Sequence, residues 1–311
     1  MRVGDYEVRA TKASDLQLVD STVGDCIKCI SVGDNILSYV SENRVYFSQI
    51  EPPLIRYIEI EMSQKETPIS IRNMNCGSPL ILVVSNHQLT VLDTTNSSFN
   101  SWSRDENDII DAVWTGDGNI SVLTKDGFLL FFDKELNRIN ICDSNLQEES
   151  YCISILNDFV FVGHKGNVSF FQYINGVFTE KCSFLAHPCA INRIDLTDDR
   201  ALISSNGGCV VWDRKDHIPL YTIKTKDPPL ICDPTATFAI SLNQKTYPTL
   251  FEVKKGNKKD ISRPLPFLNN DSGKLNCCNW FIEPSGRIVL ALGVLSSKAD
   301  IWLYFFEKQS N

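Results

Sequence analysis

A phrase of about 40 residues returns seven times along this chain. Each copy opens on a small-residue turn and an apolar strand. A tight polar turn follows, then a second apolar strand, and often an aromatic-Asp end. A period of about 40–45 residues constrains a fold more than any single motif, because each unit must bury its apolar faces against its neighbours. The sharpest copy reads His187-Pro188-Cys189-Ala190-Ile191-Asn192-Arg193-Ile194-Asp195-Leu196, then Ala201-Leu202-Ile203-Ser204-Ser205, then Cys209-Val210-Val211-Trp212-Asp213.

Alternation and β-branched or aromatic enrichment predict four strands in most units. The units run over 24–60, 66–102, 105–143, 148–186, 187–225, 227–267 and 272–309. Short turns such as Gly33-Asp34-Asn35 and Gly116-Asp117-Gly118 make neighbouring strands antiparallel. The last unit offers only three strands, Lys274–Ile282, Ile288–Leu292 and Ile301–Phe306. A segment with strand character, near residues 6–19, stands unassigned before the first unit. Pairing that surplus with that deficit closes a ring and removes an exposed edge. The expected fold is all-β: one domain over residues 1–311, a seven-bladed β-propeller of four-stranded antiparallel blades, closed by the N-terminal strand. A β-sandwich or a pair of small barrels predicts no such match of deficit and surplus.

At 43% hydrophobic residues the chain can bury a large core, and its net charge of −8 argues against direct nucleic-acid binding. No apolar run approaches the roughly 20 residues that span a bilayer, and the N-terminus lacks an apolar targeting segment. The 11 cysteines are odd in number and scattered, which argues for free thiols in cytoplasm or nucleus.

The sharpest copy resembles the WD40 repeat. In that family a His opens the unit, a Ser or Thr sits on the second strand and Trp-Asp ends the third; His187, Ser205 and Trp212-Asp213 stand in those places. The resemblance implies a buried hydrogen-bond network of His, Ser, Trp and a turn Asp, although Asn206-Gly207-Gly208 occupies the turn position here. Phe132-Asp133 and Leu92-Asp93 look like degenerate Trp-Asp ends.

Candidate chemistry is sparse. Cys26-x-x-Cys29 has half the spacing of a zinc site, but residues three apart on a strand face opposite sides. His187 reads as the blade-opening structural histidine, while His87 and His164 read as solvated turn residues. No phosphate loop opens a helix. Asp105-Glu106-Asn107-Asp108 reads as a solvated loop, and Lys254-Lys255-Gly256-Asn257-Lys258-Lys259 as an exposed turn or an import signal. No cofactor, metal or small-molecule ligand is expected.

The resemblance also implies that partners bind one face of the ring and its channel. Loops joining one blade to the next, and those between second and third strands, share that face. It carries Lys28, Asp111, Lys125, His164, Asn192 and Asn206, with Arg193 and Trp114 as candidate anchors. Trp114 reads more simply as packing between blades. The poor outer strands of the second and sixth units are candidate edges for strand addition. The expected function is a non-catalytic scaffold or adaptor that binds other protein subunits or peptides within a multiprotein complex. Two alternatives are a propeller hydrolase or esterase using groups such as His164 and Asp111, and a ubiquitin-ligase substrate receptor. The receptor signature Trp-Asp-x-Arg fits poorly, since Trp212-Asp213-Arg214-Lys215 puts Arg one place early.

Overall fold

The computed structural model describes residues 2–16, 18–19, 26–33, 35–42, 44–50, 54–59, 68–74, 78–104, 109–142, 149–174, 177–223, 230–241, 248–253, 261–265, 274–295 and 299–309. The acidic stretch 105–108 and the basic stretch 254–259 lie outside them.

The chain begins with a short hairpin, β1 (Arg2–Val3) and β2 (Tyr6–Lys12). Blade 1 follows as β3 (Ile27–Gly33), β4 (Ile36–Ser41), β5 (Arg44–Gln49) and β6 (Leu54–Glu59). Blade 2 is β7 (Pro68–Asn73), β8 (Leu80–Ser85), β9 (Gln88–Asp93) and β10 (Ser98–Ser103). Blade 3 is β11 (Ile109–Trp114), β12 (Ile120–Thr124), β13 (Leu129–Phe132) and β14 (Arg138–Cys142). Blade 4 is β15 (Cys152–Leu156), β16 (Phe159–Gly163), β17 (Asn167–Ile174) and β18 (Val177–Leu185). Blade 5 is β19 (Ile191–Leu196), β20 (Arg200–Ser205), β21 (Gly208–Asp213) and β22 (Ile218–Ile223). Blade 6 is β23 (Leu230–Cys232), β24 (Phe238–Ser241), β25 (Thr249–Glu252) and β26 (Ile261–Pro264). Blade 7 supplies β27 (Lys274–Ile282), β28 (Ile288–Leu295) and β29 (Asp300–Lys308).

Six sheets are four-stranded meanders, and the seventh has the order β1-β2-β29-β28-β27. The N-terminal strand therefore closes the ring, pairing Tyr6 with Lys308 through to Lys12 with Trp302. The pairing ends sooner than the expected segment 6–19, because the chain turns after Ala13, whose carbonyl accepts the N–H groups of Leu16 and Leu18 at 3.2 and 2.8 Å. The β1 strand adds a fifth member at the outer edge. Its two residues are too few to show any alternation in sequence.

First strands pack against first strands around the ring, so they line a central channel. Seven apolar clusters hold the blades, and each spans one pair of neighbours. Val40 and Val45 of blade 1, for example, meet Ile81 and Leu92 of blade 2. A blade buried on both faces needs near-continuous apolar strands, which is why Leu80-Ile81-Leu82-Val83-Val84 carries no polar break. Outer strands face water instead: along β10 every side chain is exposed except the half-buried Trp102. Side chains of the other expected poor edge, β26, lie outside the described residues. Among the described residues no helix is long and apolar enough to cross a membrane.

Aspartates end several third strands for a local reason. Asp93, Asp133 and Asp213 each accept, through Oδ1, the backbone N–H two residues on, at 2.8, 3.0 and 2.9 Å. This side-chain turn satisfies an N–H that the hairpin leaves open. It explains why Asp recurs at the end of the phrase while the residue before it varies from Leu to Phe to Trp.

The channel and the rim of the ring

The channel encloses about 760 Å³ and is lined from all seven blades. In five of its first strands the pairing skips one residue at the same place: Lys28, Ile69, Ile110, Asn192 and Asn276 are the extra residues of these bulges. A bulge re-aims a side chain and bends the strand. Lys28 and Asn192 thus occupy equivalent positions in blades 1 and 5, where the strand enters from the blade-joining side.

Three residues beyond each bulge stand Ser31, Arg72, Val113, Asp195 and Asn279, all lining the channel. Three of these side chains make the same bond. Asn279 accepts the Val32 N–H at 3.1 Å, Ser31 accepts the Asn73 N–H at 3.0 Å, and Asp195 accepts the Cys232 N–H at 2.9 Å. Each ties one blade to the next through a backbone donor on the innermost strand. That donor has no further strand to pair with, and leaving it unpaired in a partly buried place costs free energy.

Other polar liners are engaged as well. Asp111 accepts from Ser70 Oγ at 2.9 Å and from Arg72 at 2.6 Å, joining blades 2 and 3. Trp114 Nε1 donates to the Arg72 carbonyl at 3.1 Å, and Trp280 Nε1 donates likewise to the Ile231 carbonyl of blade 6 at 3.1 Å. Trp114 is therefore an inter-blade residue. Arg193 sits over Asp195, its Nε 2.9 and 3.1 Å from the two carboxylate oxygens. Burial works against the Arg193 cation, but Asp195 together with other nearby groups, Asp111 among them, holds the guanidinium above its ordinary value.

Of the expected contact residues, Lys28 and Lys125 are exposed, and Asn206 Oδ1 accepts from Asn192 Nδ2 at 2.6 Å. Lys125, His164 and Asn206 all lie in turns between second and third strands, in blades 3, 4 and 5. His164 departs from the expected solvated residue: it is 2% exposed. Its turn folds inward because both ring nitrogens find hydroxyls, Nδ1 with Ser150 at 3.2 Å and Nε2 with Ser169 at 3.0 Å.

The network implied by the repeat resemblance is only half present. Ser205 Oγ lies 2.7 Å from His187 Nδ1, while the buried Trp212 Nε1 has no partner among the described residues. With Asn206-Gly207 in place of a turn Asp, the bridging acceptor is missing. Trp212 instead packs against Phe184, ring centroids 4.8 Å apart. Arg214 folds back onto the Asp198 carbonyl, its Nε at 3.0 Å.

The Cys26 and Cys29 pair is likewise absorbed by packing. Burial pushes the Cys29 thiol up to about 12, and Asn276 Nδ2 donates to Cys26 Sγ at 3.2 Å. Among the described residues no group of His, Cys, Asp or Glu is placed to hold a metal ion.

The liners Arg72, Asp195, Ser31 and Asn279 were not among the expected site residues. A signal for them exists in the sequence: a polar residue stands three places beyond the bulge in four of the five bulged first strands, Val113 being the exception.

No family model and no curated protein matches the chain. Among solved structures, a chain from the crystal structure of the mitotic checkpoint complex is similar to it, with a TM-score of 0.71 over 95% of this chain and 90% of that one, at 11% identity. Solved chains that match number 1167, so the likeness identifies a widely used fold and no particular relative.

Proposed function

We propose that this ring is a non-catalytic scaffold or adaptor, a subunit that mediates protein–protein interactions within a multiprotein complex. One observation carries the reading: five polar side chains of the channel are spent on joining blades. Asn279, Ser31 and Asp195 each hold the next blade's backbone, and Arg72 with Asp111 bridges two more. Groups committed to a frame stiffen a surface; a hydrolytic site would gather them over one reacting bond. The similar chain in the mitotic checkpoint complex, itself part of an assembly, supports the same reading.

The contact surface of this proposal is the rim where blades join, with Lys28, Lys125, Asn192, Arg193 and Asn206. His164, buried, supports that rim from beneath. The partners are protein subunits or peptides, and the net charge of −8 weighs against nucleic acid. Nine free cysteines among the described residues support a reducing site of action, cytoplasm or nucleus. Native-state sizing of the full chain in cell lysate tests this: a scaffold migrates with stoichiometric partners, whereas migration as a lone 35.1 kDa chain counts against it.

A further inference from the structure

The connector into blade 5 carries a bond whose sense is fixed by chemistry. The Cys189 backbone N–H donates to His187 Nδ1 at 3.2 Å. A backbone N–H can only donate, so Nδ1 is an acceptor and the neutral ring carries its hydrogen on Nε2; the Ser205 hydroxyl, 2.7 Å from Nδ1 and 3.3 Å from Nε2, donates to the same Nδ1. Ser205 Oγ in turn accepts the Gly207 N–H at 3.0 Å. The imidazole therefore pins two segments together, the 187–189 turn and the 205–207 turn. Both lie on the rim, beside Asn192 and Asn206.

The same connector is stapled to blade 4. Ala186 and His187 donate their N–H groups to the Gly166 carbonyl at 2.9 and 3.1 Å, and Ile191 N–H donates to the His164 carbonyl at 2.9 Å. The space between is tight: a Cβ on Gly166 would stand 2.6 Å from the His187 carbonyl oxygen. The groups that titrate or carry charge on these elements are Cys189 in the connector itself, and His164 and Lys165 on the blade 4 turn; the 205–207 turn has none. No carboxylate is among them, so no counter-charge waits for an imidazolium.

We propose that His187 is a pH-sensitive catch: a proton on Nδ1 turns that nitrogen into a donor to Ser205 Oγ, sets it against the Cys189 N–H it had accepted, expels Cys189 and frees the 186–191 connector from the rim. Burial already disfavours the charged ring. The sign follows. The neutral form favours the closed connector, so closure is complete above the ordinary histidine range. It weakens as pH falls through that range towards the lower value of the folded state. The rim of blade 5 is then rigid at neutral pH and loosened in acid, with the other blades intact.

Hydrogen exchange of the full chain, corrected for intrinsic rates, tests this at pH 7.5 and pH 5.5. Protection of the amides of Ala186, His187, Cys189 and Ile191 falls about fivefold or more at the lower pH, on the scale of one lost hydrogen bond, while β12 and β28 stay protected. His187→Asn, whose Oδ1 still accepts the Cys189 N–H without titrating, removes the step. Equal protection of these amides at both pH values, or a step that survives in H187N, overturns the proposal. If H187N fails to fold, an NMR titration of His187 in the unaltered chain decides. The connector amides must shift with the same midpoint as the His187 ring, and separate midpoints overturn it.

Discussion

The Asp195 carboxylate accepts the Cys232 backbone N–H at 2.9 Å, across the boundary between blades 5 and 6. The relation repeats with Ser31 and Asn73 between blades 1 and 2, and with Asn279 and Val32 across the ring junction between blades 7 and 1. One sequence position thus performs one task in three blades, whichever of Asp, Ser or Asn occupies it. Asn279→Ala leaves the Val32 N–H without its acceptor and lowers stability by about 1–3 kcal/mol. Asp195→Ala costs more, since Arg193 loses its counter-charge too. Urea midpoints at constant m-value measure both.

The thiols of Cys152 and Cys277 point at equivalent carbonyls, Ile191 O at 3.6 Å and Ile27 O at 3.5 Å. Both close approaches depend on a glycine in the neighbouring strand. A Cβ on Gly163 would stand 2.7 Å from Cys152 Sγ and 2.7 Å from Ile191 Cγ2, and one on Gly293 would stand 2.5 Å from Cys277 Sγ. Gly163→Ala and Gly293→Ala overpack two blade junctions and destabilise by about 1–3 kcal/mol each. Combining Gly163→Ala with Cys152→Ala recovers part of the loss. Thermal melts of the single and double variants give the coupling.

At the end of β21, Asp213 Oδ1 accepts the N–H groups of Lys215 and Asp216, each at 2.9 Å. Asn keeps that oxygen and Ala removes it. Asp213→Asn is close to neutral, and Asp213→Ala costs about 1 kcal/mol, the scale of one or two partly exposed hydrogen bonds. Chemical denaturation of the two variants side by side separates them.

Removing residues 2–12 uncovers the edge of β29 and strips Val3 and Val8 from a cluster that also holds Phe238 and Phe306. The shortened chain melts lower than the full chain and self-associates through the bared edge. Melting by circular dichroism together with light scattering reads both effects. A shortened chain with unchanged melting and no association would contradict the closure.

The seven-fold period, the antiparallel meanders and the surplus strand at the N-terminus were all legible, because strand alternation and turn chemistry are local. Trp114 was also legible as an inter-blade residue. His164 was not. A turn position says how the backbone reverses, and only the approach of Ser150 and Ser169 from other segments decides that the ring lies buried. The inter-blade ties were missed for the same reason: Asp195 and Cys232 are 37 positions apart. Nothing in either residue alone says that a carboxylate meets a backbone amide. The repeat resemblance located Ser205 beside His187 correctly, but Trp212 lost its partner with the missing turn acceptor.

The most direct test of the scaffold reading is affinity purification of the full chain beside a rim variant, Lys28→Ala, Asn192→Ala and Asn206→Ala together, with mass spectrometry of what co-purifies. The unaltered chain brings down partner proteins in stoichiometric amounts, and the rim variant, with an unchanged far-UV spectrum, loses them. Purification of the unaltered chain alone, or a rim variant that keeps every partner, would contradict the account.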